Sequence, residues 1–252
     1  MGAILSVVYA LACYALFLGT FLCSIGFVGD FIVPKAVDTG PPGPLGEALI
    51  IDTLLLGVFA VQHSVMARQG FKRWWTRVVP PPVERSTYVL AASLALALLF
   101  WQWRPITGVV WKVESAPIVL VIQLLFWLGW GIALLSTFLI SHFELFGLSQ
   151  VFARGSRHEL PAPQFTTPLL YRYVRHPLYV GLLLAFWAAP TMTAGHLMFA
   201  VASTGYVLIG VFFEERDLID QFGDRYRAYR AQVGMLIPRL GSSTREVRQS
   251  TK

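Results

Sequence analysis

Residues 178–213 read LYVGLLLAFWAAPTMTAGHLMFAVASTGYVLIGVFF, a run of 36 positions without one Asp, Glu, Lys or Arg. A helix crosses the hydrocarbon core of a bilayer with about 20 apolar residues at ~1.5 Å each, so this run is too long for one crossing. Pro190 and Ala194-Gly195-His196 interrupt it near the middle, which predicts a hairpin of two short helices of about 17–18 residues each. A hairpin returns the chain to its starting depth. The Arg175-His176-Pro177 that opens it and the Glu214-Glu215-Arg216-Asp217 that closes it are then neighbours, despite 37 residues between His176 and Glu214.

The rest of the chain agrees with a membrane reading. Of 252 residues 56% are apolar and 13% charged, where a soluble protein carries roughly 25% charged. Two cysteines exclude a disulfide scaffold, and 14% aromatics exclude disorder. Cys13 and Cys23, ten residues apart on one helix, cannot bond to each other and read as packing or lipid-facing side chains. Met1–Gly29 carries no charge; it lacks the basic start of a signal peptide and reads as a retained first span. Further spans are predicted at Ala48–Ala67, Thr87–Trp103 and Pro117–Ser141. The fold class is therefore all-α: a polytopic membrane bundle of five to six spans, with a C-terminal helical hairpin and an amphipathic tail. Six crossings is the first count, and five plus a re-entrant pair is the competing one.

Loops reached after an even number of crossings, together with the C-terminal segment, hold 17 of the 20 basic residues; only Lys35, Arg104 and Lys112 fall on the other side. The positive-inside rule makes the rich side cytosolic, with both termini inside, as in a bacterial inner-membrane protein. The segregation accounts for the basic charge without nucleic acid as a partner, and the charges flank spans where anionic headgroups lie. The Trp-rich stretches (Trp74-Trp75, Trp101, Trp103, Trp111) read as interfacial belts.

Ionisable groups near span ends are costly and mark function. Gln62-His63-Ser64, Ser141-His142-Phe143-Glu144, Arg172 to Pro177 and Glu214 to Asp217 all converge on the basic face, and the opposite face offers nothing comparable by sequence. Pro177 suits a first helical position. The free N–H groups there, with Arg175 and His176, would attract a carboxylate, while two adjacent glutamates at a helix end want a cation. A ligand bearing both a carboxylate and an ammonium matches this layout. The alternative for the same residues is plain capping, with Arg175 or Arg216 pairing the glutamates. Tyr226 and Tyr229 share one face of a tail helix that lids the site or anchors to the membrane. His63, His142, His158, His176 and His196 never fall three or four apart, so no metal is expected; His158 reads as a loop residue and His196 as a turn residue at the far face.

The elements Arg175-His176-Pro177-Leu178-Tyr179-Val180-Gly181, Glu214-Glu215-Arg216-Asp217-Leu218 and Phe222-Gly223…Tyr226…Tyr229 resemble the integral-membrane methyltransferases that include isoprenylcysteine carboxyl methyltransferase and the phospholipid N-methyltransferases. Within that superfamily, similarity to the bacterial methanethiol S-methyltransferases extends over nearly the whole chain. It is carried by Gly29-Asp30-Phe31, Gln62-His63-Ser64-Val65-Met66-Ala67-Arg68, Glu84-Arg85-Ser86-Thr87-Tyr88, His142-Phe143-Glu144-Leu145-Phe146-Gly147-Leu148 and Thr191-Met192-Thr193, among others.

The resemblance implies S-adenosylmethionine as methyl donor and methanethiol as acceptor, giving dimethyl sulfide. It implies a single domain over 1–252, with four N-terminal spans (1–141) and a donor-binding half (142–252). It places Arg175, His176, Tyr179, Gly181, Glu214, Glu215 and Tyr229 at the donor. An alkanethiol is mostly protonated at neutral pH, so a base is required; His63 and His142 beside Glu144 are the candidates. No metal and no obligate protein partner are implied; the partners are a small volatile thiol and membrane lipid. Competing readings are another thiol, a prenylcysteine carboxylate or a lipid amine as acceptor, an NADPH-dependent sterol-type reductase, and a small transporter. A transporter should carry polar midplane residues and repeated halves, which the chain lacks.

Overall fold

In the computed structural model, residues 2–41, 43–156 and 164–239 are described; His158 lies outside them. Five helices are long and apolar enough to cross a membrane: α1 (Ala3–Gly29), α2 (Leu45–Ala67), α4 (Pro81–Gln102), α5 (Ala116–Ile140) and α9 (Ala194–Phe222). Short helices join or flank them: α3 (Gln69–Trp75), α6 (His142–Leu145), α7 (Leu148–Ser156), α8 (Pro177–Trp187) and α10 (Asp224–Gln232). The only strands among the described residues are β1 (Val109–Lys112) and β2 (Thr191–Thr193). Prolines at the first helical turn start α4, α5 and α8, where a missing N–H costs nothing. The protein is an all-α polytopic membrane bundle.

The hairpin forms, but its arms are unequal. α8 has 11 residues and the chain then runs extended to β2, whereas α9 has 29. β2 pairs antiparallel with β1, Lys112 opposite Thr191 and Val109 opposite Thr193, and Val113 N–H donates to the Pro190 carbonyl at 2.9 Å. That pairing satisfies backbone groups that a helix would otherwise satisfy internally. At ~1.5 Å per helical and ~3.3 Å per extended residue, Pro177 to Thr193 spans roughly 36 Å, enough to cross a ~30 Å core. The segment thus reaches the level of the α4–α5 connection, where β2 meets β1.

α9 starts at Thr193, whose hydroxyl oxygen accepts the His196 N–H at 3.1 Å. It does not stop at Phe213. Helix continues through Glu214 and Glu215 to Phe222 and ends at Gly223, whose φ of 58° favours glycine. The glutamates are therefore mid-helix, and the helix-end dipole invoked from sequence does not act on them. Glu214 lies 20 residues past Ala194, about 30 Å along the axis, which is the depth of the hydrocarbon core.

α8 is held by α5 through small residues. A Cβ on Gly181 would lie 2.5 Å from both Ala133 N and Gly129 O, and one on Gly129 would lie 2.6 Å from Gly181 O. Backbones this close are what Gly and Ala permit between membrane helices. The main apolar core is Phe27, Leu99, Trp103, Phe126, Trp130 and Phe199 with their neighbours. Trp103 is fully buried there, its indole N–H donating to Val37 O at 3.1 Å; it is a core residue, unlike the exposed Trp74 and Trp101. Cys13 is buried and Cys23 exposed.

Candidate functional site at the basic end of the bundle

The chain entering α8 and the tail following α9 are bound edge to edge. Arg175 N–H donates to Gly234 O (2.8 Å) and His176 N–H to Met235 O (3.2 Å). α10 packs Tyr226 and Tyr229 against Phe165, Leu218, Ile219, Phe222 and Val233. Both tyrosines are buried, so they are not membrane anchors; burial pushes both phenols up, and the Tyr229 hydroxyl donates to Tyr171 O at 2.6 Å. Tyr229 therefore ties the tail to the segment that leads into the hairpin.

This frame brings the Arg-His-Pro and Glu-Glu elements together. Arg175 Nε donates to Glu215 Oε1 at 2.7 Å, and its Nη1 donates to the carbonyls of Arg230 and Val233. His176 Nε2 lies 3.2 Å from Glu215 Oε1, and Arg230 Nε lies 3.2 Å from Glu215 Oε2. Arg175, His176 and Glu215 are all buried, and a buried charge is tolerated only when paired and hydrogen-bonded in this way. Of the two arginines expected at the glutamates, Arg175 thus pairs with Glu215, and Arg216 does not. Arg230 is the partner that sequence reasoning missed, because nothing in its spacing connects it to Glu215.

Glu214 differs from its neighbour. Its side chain is 44% exposed, Oε2 accepts the Tyr179 hydroxyl at 3.0 Å and lies 3.8 Å from His176 Nδ1, and Oε1 bonds to nothing among the described residues. Tyr179 sits in the first turn of α8, whose leading N–H groups have no intrahelical partner and receive no side-chain cap from His176. A carboxylate with a spare oxygen therefore stands beside an uncapped helix N-terminus. Gly181, expected at the donor, is where α8 meets α5.

The two candidate bases fare differently. His142 is buried, with Nε2 2.7 Å from the Tyr14 hydroxyl and Nδ1 2.8 Å from Thr137 Oγ1, and its ring stacks on Phe138 at 4.0 Å. Burial holds its pKa below the usual histidine value. Both its nitrogens are occupied. His63 lies 2.9 Å through Nε2 from the Tyr88 hydroxyl, and its Nδ1 is buried without a partner among the described residues. Ser64 donates to the Tyr206 hydroxyl at 3.4 Å, and Arg68 reaches Asp217 at 3.6 Å, so α2 and α9 meet at this end. Glu144 is exposed. Among the described residues no group of three His, Cys, Asp or Glu side chains is placed to hold a metal.

The opposite end is not bare, as the sequence suggested. Asp38 Oδ2 lies 3.0 Å from His196 Nδ1 and Asp38 Oδ1 accepts the Thr193 hydroxyl at 2.5 Å, beside a cavity of about 590 Å³ lined by Asp30, Phe31, Trp127 and Pro190 among others. Asp52, fully buried on α2, accepts the Arg104 backbone N–H at 2.9 Å. Asp38 and His196 are 158 residues apart, and no local pattern announces their meeting.

Fold and site define a polytopic membrane protein with a carboxylate–histidine–arginine cluster at the membrane edge, built by a terminal hairpin and tail. Comparison with known proteins narrows this. The chain is 55% identical over 238 residues to a methanethiol S-methyltransferase of Mycobacterium tuberculosis, covering 94% of this chain and 98% of that one. It is 55% identical over 230 residues to methanethiol S-methyltransferase 1 of Bradyrhizobium diazoefficiens, covering 91% and 81%. It is also 31% identical over 183 residues to nurim of Danio rerio, covering 69% and 66%. No family model and no solved structure matches. The chain belongs to the methanethiol S-methyltransferase family.

Proposed function

We propose that the protein transfers a methyl group from S-adenosylmethionine to methanethiol, releasing dimethyl sulfide, at the basic end of the bundle, and that this end faces the cytosol. The relatives' names support the reaction. The observation that carries the donor is Glu214, whose free Oε1 stands beside the uncapped N-terminus of α8. An amino-acid moiety has an ammonium for the first and a carboxylate for the second. When bound, S-adenosylmethionine supplies a methyl carried on a sulfonium, which makes it electrophilic.

Tyr179 and His176 hold Glu214 in place. Arg175 and Glu215, buried, and Arg230, at the surface, form the frame that keeps the tail closed over the site, and Tyr229 secures the tail. His63 takes the thiol proton through Nδ1, and His142 and Glu144 support the fold at the same edge. Residues 1–141 thus supply the base, and residues 142–252 the donor site, of a single domain. A small apolar thiol enters from the bilayer, so no soluble partner is required. The basic residues concentrated at this end support a bacterial inner-membrane orientation with both termini cytosolic.

Headspace gas analysis of cells expressing the chain and fed methanethiol tests the reading. Wild type should release dimethyl sulfide, and Glu214→Ala and His176→Ala should release little. Equal release from all three would remove the assignment.

A further inference from the structure

His63 packs its ring on Phe59 (centroids 5.2 Å apart) with Tyr206 edge-on at 6.4 Å, and Nδ1 is buried without a partner among the described residues. A neutral imidazole has one N–H and one lone pair, and the hydrogen bond made by one nitrogen decides the state of the other. If Tyr88 donated to Nε2, the ring proton would sit on Nδ1 as a buried donor without an acceptor, unable to take up another proton. The alternative leaves no donor without an acceptor. Nε2–H donates to the Tyr88 oxygen at 2.9 Å, and the Tyr88 hydroxyl turns its own proton to His63 O, 3.4 Å away. Nδ1 is then a buried lone pair without a partner among the described residues. Arg85 fixes Tyr88 from the other side, with Cζ 5.0 Å from the ring centroid and Nε bound to Leu145 O.

We infer that Tyr88 is the positioning residue of the methyl-accepting site: it keeps the His63 proton on Nε2, so that Nδ1 receives the proton of a small alkanethiol. The inference rests on the thiol-methylating reading above. In the step, the S–H bond breaks and its proton goes to Nδ1, giving an imidazolium whose Nε2–H stays on the Tyr88 oxygen. The freed sulfur pair forms the new S–C bond while the methyl–sulfonium bond breaks, its pair returning to the donor sulfur.

Tyr88→Phe removes the hydroxyl alone. Ethanethiol and 2,2,2-trifluoroethanethiol are close in size, but fluorine makes the second far more acidic and so less dependent on a base. General-base catalysis contributes about 10²–10⁴-fold, so Tyr88→Phe should lower kcat for ethanethiol by about 10–100-fold and for trifluoroethanethiol by less than about threefold. S-adenosylmethionine affinity should be unchanged. Should Tyr88→Phe fail to assemble, His63→Gln tests the same claim and should show the same selectivity. An equal fall with both thiols, or no fall with either, overturns the inference. A wild type that binds the donor but methylates neither these thiols nor methanethiol overturns the thiol reading itself, a separate result.

Discussion

His176 and His196 stand at the two ends of one hairpin, and both are buried against carboxylates. Around His196 every valence is met: Asp38 takes Nδ1, the Phe186 carbonyl takes Nε2 at 2.9 Å, and Thr193 takes the second Asp38 oxygen. Around His176, Glu215 is likewise closed by Arg175 and Arg230, but Glu214 keeps an oxygen open to water. A cavity of about 590 Å³ lies at the closed end. Burial of polar groups is therefore shared by both histidine clusters, and spare hydrogen-bonding capacity separates them. A satisfied pair fastens the bundle, and an unsatisfied one can take a ligand.

Mutations can break or sharpen this contrast. Asp38→Ala strips the closed end and leaves His196 Nδ1 and the Thr193 hydroxyl without their partner, so stability should fall by about 1–3 kcal/mol for each group left unpaired. Thermal unfolding in detergent measures it, and donor affinity of the folded fraction should stay put. Gly181→Ala forces α8 from α5 and should cost about 1–3 kcal/mol, the range for overpacking, read by the same assay. At the open end, Arg230 is half exposed, so Arg230→Gln should cost no more than about 1 kcal/mol of stability. It should nonetheless weaken donor binding if the proposed site is right, because Arg230 holds the tail to Glu215, the neighbour of Glu214.

The smallest effect is at His142. Burial lowers its folded-state pKa, so the unfolded chain takes up the proton first as pH falls. Stability from the neutral ring is complete above the ordinary histidine value of about 6.5 and declines below it. Melting temperature from pH 8 to pH 5 should drop at the acid end in wild type, and less so in His142→Gln.

The hairpin was legible because a 36-residue uncharged run with Pro190 inside it has few other solutions. So was the meeting of Arg175-His176 with Glu214-Glu215, which follows from that geometry. The unequal arms were not legible. They depend on β2 pairing with β1, some 80 residues earlier, and strand pairing leaves no local trace in so short a segment. The continuation of α9 past Glu215 was hidden because its last two turns are polar where they leave the membrane. Arg230, Tyr88 and Asp38 act through partners distant in sequence, and an exposed and a buried arginine or tyrosine look alike in a single chain.

Equilibrium binding of radiolabelled S-adenosylmethionine to the purified protein tests the central claim most directly. Wild type should bind saturably, and Glu214→Gln should bind about 10–100-fold more weakly, as expected for losing a charged hydrogen bond. Asp38→Asn, at the closed end, should bind as wild type does. Equal affinity in wild type and Glu214→Gln, or a larger loss in Asp38→Asn, would contradict the account.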